Sequence, residues 1–335
     1  MREGEAIVIP RPARNRAICS QIARLTLAAA LLCAAATAGC GFGPGSSSDG
    51  DATLTVSRDF GAERLVDAKL TDPPESETVM RFLDSEAEVT TRYGGGFVQS
   101  IDGLEGTERG SSAFDWFFYV NGIESPIGAA EARVYGGDRV WWDYREWTGA
   151  MRVPAVVGSW PEPFVHGSEG KAFPVRIDCL TEDGDCSPVA DRLEREGIAA
   201  SISTERAKLG EELLRVVVGP WEEVRQDRAA VQIEDGPAHS GVFADIEPTA
   251  EGGYEIVALD PRDGESDRLG AGSGLVAAVR LGEEQPTWVV TGADDAGVDA
   301  AVELLDTESL RDRYAVAVDE RGEELALPTA EKGGG

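Results

Sequence analysis

Apolar and polar residues alternate with a period of two along TLTVSRDF (53–60) and again along RLVDAKLTD (64–72). That is the pattern of half-buried strands. The period changes after the double proline at 73–74. From Ser76, a residue suited to cap a helix, Val79, Phe82, Leu83 and Ala87 recur at helical spacing and make one apolar face. The chain then returns to strands. A run of three glycines, 94–96, leads into FVQSIDG. FDWFFYVNG (114–122) is dense in aromatics and ends in an Asn-Gly turn signal, and 136–147 enters a further aromatic strand from Gly-Gly. Strand, strand, helix, strands over 53–147 predicts one helix on a mixed sheet, a β-grasp-like arrangement of α+β class.

Residues 150–328 read differently. Strand patterns at 153–160, 171–178, 198–204, 240–247, 253–260 and 314–319 are interleaved with helical ones. SPVADRLEREG (187–197) carries Val189 and Leu193 on one face and Gly197 as a stop. At 213–228 and 286–306 a strand passes through a Gly-containing turn into a helix, and Pro220 suits the first turn of such a helix. Alternating strands and helices predict a second, α/β domain with some parallel pairing. VVGSWPEPF (156–164) faintly echoes VVVGPWEEV (216–224), too briefly to establish a duplication. Residues 329–335 form a tail.

The N-terminus carries no such pattern. Five arginines against two glutamates in residues 1–24 precede the uncharged run Leu25–Ala38. Those 14 residues are fewer than the roughly 20 a membrane-spanning helix needs, and fit the apolar part of an export signal. Thr37-Ala38-Gly39-Cys40 resembles the bacterial lipobox, with Thr37 where Leu or Val is usual. The expectation is a cleaved signal over 1–39, a lipid on Cys40, and a Gly/Ser-rich tether over 40–52. Ordinary secretion with cleavage near Ala38 and an uncleaved anchor are the alternatives.

Charge narrows the partners. The net charge of the chain is −30, and removal of the basic leader takes it to near −33. Such a surface repels nucleic acid and anionic headgroups, so nucleic acid is excluded as a partner. Of five cysteines, Cys19 and Cys33 leave with the signal and Cys40 takes lipid. Cys179 and Cys186, seven apart in an acidic loop, are expected to close a disulfide in an exported protein. A metal site is the rival reading, weakened because neither His166 nor His239 joins them. No Walker loop, GxSxG, HExxH or CxxC occurs, and GAGSG (270–274) lacks the spacing and context of a dinucleotide fingerprint. No catalytic residue and no cofactor is assigned.

ETVMRFL, YGGGFVQSIDG, FDWFFYVNG and GGDRVWWDY, in that order, resemble the transcobalamin-like C-terminal domain family over about residues 53–146. The resemblance implies a fold shared with the smaller domain of the animal cobalamin carriers, which closes over a corrinoid, and a frequent home on bacterial surface lipoproteins. The large helical barrel of those carriers is missing here. On this reading the residues expected to meet a ligand are Tyr93, Gly95, Trp116, Tyr119, Trp142 and Tyr144. A sheet with one helix can bury only one face, so aromatics on the other face form either a stacking platform or a contact with the second domain.

The sequence therefore predicts a non-catalytic lipoprotein of the cell envelope, held at the outer face of the cytoplasmic membrane through Cys40. It would capture a small molecule, corrinoid-like by resemblance, for delivery to a membrane transporter. The alternative is a scaffold lipoprotein that docks an envelope protein through exposed aromatics.

Overall fold

A computed structural model describes residues 45–46, 50–92, 96–181, 185–208 and 210–330. Cys40, Tyr93, Gly95 and the signal lie outside the described residues. Residues 43–335 cluster as one compact unit. It is mixed α and β, with few helices and many strands in several sheets.

The first half is built on a sheet in the order Glu63–Leu70, Ala52–Arg58, Arg139–Glu146, Ser112–Val120, Thr107–Arg109, with Ile123–Glu124 also paired to Ser112–Val120. Ala52–Arg58 and Arg139–Glu146, the first and last long strands, run parallel at its centre, and the other pairs are antiparallel. Period-two alternation gives it two faces. Leu54, Val56, Val140, Trp142 and Tyr144 meet the helix Val79–Glu86, which buries Val79, Phe82 and Leu83. Each such side chain contributes about 1.5–3 kcal/mol relative to exposure. The helix starts later than expected: Thr78, not Ser76, caps it by accepting from Arg81 N.

The second half centres on seven strands in the order Ala200–Ser203, Val175–Cys179, Leu214–Pro220, Thr287–Gly292, Gly274–Val279, Ala315–Val318, Glu324–Leu327. The first four run parallel and the last three join antiparallel. Alternation again decides the faces. Val216, Val218, Val276, Trp288 and Val290 pack under the helices Ser187–Arg195 and Asp295–Glu303. Val217, Leu275, Ala277, Val289 and Ala317 face the helix Arg228–Glu234 and a small sheet that includes Ala244–Pro248 and Tyr254–Leu259.

That second face also receives the outer face of the first sheet. Tyr119 and Trp141 share a core with Val153, Val156, Phe243 and Tyr314. The rings of Trp141 and Tyr314 meet edge to face at 5.3 Å. The seam carries a buried polar network too. Asp143 accepts from Ser57 Oγ (2.5 Å), Phe60 N (3.0 Å), Gly61 N (3.1 Å) and Tyr314 OH (3.1 Å). Arg145 lies 3.8 Å above the Phe117 ring and donates to the carbonyls of Ala150 and Met151. Burial pushes Tyr119 up to about 12 and raises Asp143. Gly61 is required here: its φ is +81°, and a Cβ would sit 1.8 Å from Asp312 O.

Three strand expectations need correction. Residues 153–160 form no strand beyond a single bridge of Ala155 to Ile123; the backbone of Arg313 crowds Gly158 and the segment turns instead. Pro174 splits 171–178 into Lys171–Ala172 and Val175–Cys179, because proline lacks the N–H a ladder needs. Within the expected tether, Gly45–Ser46 pairs antiparallel with Lys171–Ala172.

Candidate functional site

A cleft of about 570 Å³ opens between the two halves. One wall comes from the segment after the aromatic strand: Ile123, Pro126, Ile127 and Tyr135. The other is Ser168, Lys171 and Phe173 with Arg280 and Gln285. The lining is evenly apolar and polar in character and includes charges of both signs, such as Arg133 and Glu212.

Local chemistry explains the second wall. Ser168 and Lys171 exchange both backbone hydrogen bonds, at 3.0 and 2.9 Å, around Glu169 and Gly170. Both central residues have positive φ, 52° and 71°, which defines the primed two-residue turn that matches strand twist. Gly170 lies against the Tyr135 ring, where a Cβ would come within 2.9 Å. Ser168 Oγ donates to Gln285 Oε1 at 3.1 Å and ties the turn to the loop before Thr287–Gly292.

A buried polar cluster braces the cleft from below. Asn121 Nδ2 donates to Asp138 Oδ1 (2.8 Å) and to Gly167 O (2.9 Å), and its Oδ1 accepts from Arg139 N. Asp138 Oδ2 accepts from Tyr135 N at 2.8 Å. Asn121, expected to be only a turn residue, thus joins the strand end, the Tyr135 loop and the second wall. Burial raises Asp138 from 3.8 to about 6. The hydrogen bond that His166 donates to Glu162 raises His166 above its ordinary 6.5.

The four sequence-predicted ligand residues that are described lie elsewhere. Trp116, Tyr119, Trp142 and Tyr144 are all at most 5% exposed, so none offers a ring to solvent. Trp116 donates to Leu104 O and Tyr144 to Glu105 O, while Trp142 stacks on Phe118 at 4.8 Å. Tyr119 fills the seam. The helix covers one face of the sheet and the second half covers the other, which leaves no exposed aromatic platform on these strands. Cys179 and Cys186 are joined, with Cα atoms 5.8 Å apart. Among the described residues no group of three or more His, Cys, Asp or Glu is placed to hold a metal ion, and no helix is long and apolar enough to cross a membrane.

Sequence reasoning missed Ile127, Tyr135, Lys171 and Phe173. They are single apolar or charged residues in Gly-rich loops, and they converge only through the packing of the two halves. The one local signal was Glu169-Gly170 between Ser168 and Lys171.

Residues 76–146 match the family described as "Domain of unknown function (DUF4430)". That span lies within the stretch read above as transcobalamin-like and includes one wall of the cleft. Among solved structures, the chain is similar to a protein of Ruminococcus gnavus ATCC 29149 described as "a putative metal binding protein". The identity is 15%, covering 29% of this chain and 98% of that one, with a TM-score of 0.23. No curated protein matches the chain.

Proposed function

We propose that the protein is a non-catalytic, ligand-binding lipoprotein of the cell envelope that captures a small molecule in the cleft between its halves. The observation that carries this reading is the cleft itself. Its volume of about 570 Å³ lies within the range of small-molecule sites, and it offers two aromatic or aliphatic walls with a few placed polar groups. In this reading the first half is a β-grasp-like, transcobalamin-type domain. The lipid on Cys40 holds the protein at the outer face of the cytoplasmic membrane, and a transporter takes the ligand on. The resemblance names a corrinoid as the first ligand to test. Cobinamide, which keeps the corrin ring but lacks the nucleotide loop, is the smaller corrinoid to set beside cobalamin.

The test is a thermal-shift and spectroscopic titration of the full chain with cobalamin, cobinamide, haem and small glycans. A ligand that binds only the native state raises the melting temperature by mass action. A saturable rise that Tyr135→Ala and Phe173→Ala both abolish supports the reading. No rise with any compound well above micromolar concentration sinks it. One observation favours protein docking as a second reading: Ile127, 46% exposed, stands beside Pro126 on the rim. Pull-down of one envelope protein by the wild type, lost in Ile127→Asp, would support that reading.

A further inference from the structure

Most arginines of this acidic chain are answered by carboxylates: Arg58 by Glu63, Arg192 by Glu303, Arg215 by Asp178 and Asp227, Arg268 by three glutamates. Among those in no ion pair, two line the same groove. Arg139 opens the strand Arg139–Glu146, and its side chain donates from Nη1 to Trp160 O, at 2.7 Å. Arg311 follows the helix Thr307–Leu310, is exposed, and has no ion-pair partner among the described residues. Both line a groove of about 230 Å³ on the seam, together with Thr53, Thr55, Ser159 and Arg64. Asp67 and Asp312 also reach the groove, but both are engaged by Arg64.

Arg139 is half-buried and Arg311 is exposed on the same groove. Arg139 holds its proton less tightly than usual, chiefly because of burial and further because Arg311 is near. Glu162, Glu196 and Asp312 act in the opposite sense, Glu162 more strongly than Arg311, and burial outweighs them. The groove is also fixed in shape. Gly158 and Gly61 let the 311–314 backbone approach so closely that a Cβ on either would collide with it. Asp312 N donates to Gly158 O and Val157 N to Tyr314 O. A rigid groove with two arginines lacking carboxylate partners, rimmed by hydroxyl side chains, has the chemistry of a site for a planar or tetrahedral oxyanion.

We propose that this seam groove binds a small free oxyanion, a phosphoryl or carboxylate group, between Arg139 and Arg311. It is separate from the cleft and does not depend on what the cleft takes. An anionic membrane is not the source, because the surrounding net charge of −30 repels such a surface.

The test is calorimetry and thermal shift on the full chain with inorganic phosphate, pyrophosphate and citrate, with ionic strength held constant by chloride. At least one probe should bind saturably while chloride alone gives nothing. Arg311→Gln, which breaks no ion pair and leaves the fold intact, should weaken binding about tenfold or more, the value of one charge-assisted hydrogen bond. Arg139→Gln should weaken it at least as much; should that variant unfold, Arg311→Gln alone decides. Tyr135→Ala in the cleft should leave anion binding unchanged. Equal affinity in the wild type and Arg311→Gln, or no saturable response to any probe up to about 10 mM, overturns the proposal.

Discussion

Replacing Tyr314 with Phe removes one oxygen from the seam and leaves the ring contacts in place. The lost group donates to Asp143, a carboxylate with no solvent exposure, and accepts from Tyr119 OH at 3.3 Å. A hydrogen bond to a charged group contributes about 1.5–3 kcal/mol, and the Tyr119 hydroxyl is left buried without its acceptor. The expected cost is therefore about 2–3 kcal/mol, or roughly 3–5 °C in melting temperature for a unit of this size. Location matters as much as size. Asp143 belongs to the first sheet and Tyr314 precedes a strand of the second, so the loss should weaken both halves together. Urea unfolding gives the total. Native-state hydrogen exchange gives the distribution, because the amides of Leu54 and Val56 and those of Val217 and Val289 should lose protection equally. Tyr254→Phe, whose hydroxyl is exposed beside Glu222, serves as the control and should change stability by less than about 0.5 kcal/mol. A Tyr314→Phe effect below that limit, or protection lost in one half alone, would refute the view that the seam is shared core.

Two further predictions follow from buried charge. Asp138 holds its proton to about 6 in the fold against 3.8 when exposed, so the native state binds more protons between those values and stability falls as pH rises across that window. His166, also raised, continues the fall above 6.5. Asp138→Asn should flatten the pH 4–6 part, by at most about 3 kcal/mol, and leave the part above it; matching urea midpoints for both proteins across pH 4–6 would contradict this. Arg215 bonds both Asp178 and Asp227 at 2.7 Å in the interior. Arg215→Met leaves Asp178 to Arg176 and Ala207 N and Asp227 to Ala229 N, so it should cost about 1.5–3 kcal/mol rather than the full penalty of an unpaired buried charge, and an unchanged denaturation midpoint would show that those partners suffice.

Local order was legible where one physical cause acts alone. The alternation of 53–60 and 64–72 gave strands that form at Ala52–Arg58 and Glu63–Leu70. Gly197, with φ of +78°, lies just past the helix Ser187–Arg195, and the two cysteines pair. GLVAAV (274–279) went unread because it is buried on both faces, and a strand covered twice shows no alternation. At 153–160 the reverse error occurred. The segment is apolar because it is a buried connection, and strand propensity mistakes burial for pairing. The candidate site was the least legible part. Trp116 and Trp142 attract attention as aromatics but spend their surface inside the first half. Tyr135 and Phe173 gain meaning only when two segments about forty residues apart are brought together by packing.

Tyr314 follows Glu146 by 168 residues, and this separation sets the timing of folding. The outer face of the first sheet, complete once Glu146 has been made, cannot be covered until the stretch through Tyr314 follows. At the usual rate of synthesis, about 170 residues take roughly 10–30 s. During that interval Tyr119, Trp141, Asp143 and Arg145 lie open on a finished sheet with no lid. The nascent chain must therefore be kept from premature association for many seconds, or be held unfolded until the stretch through Tyr314 arrives.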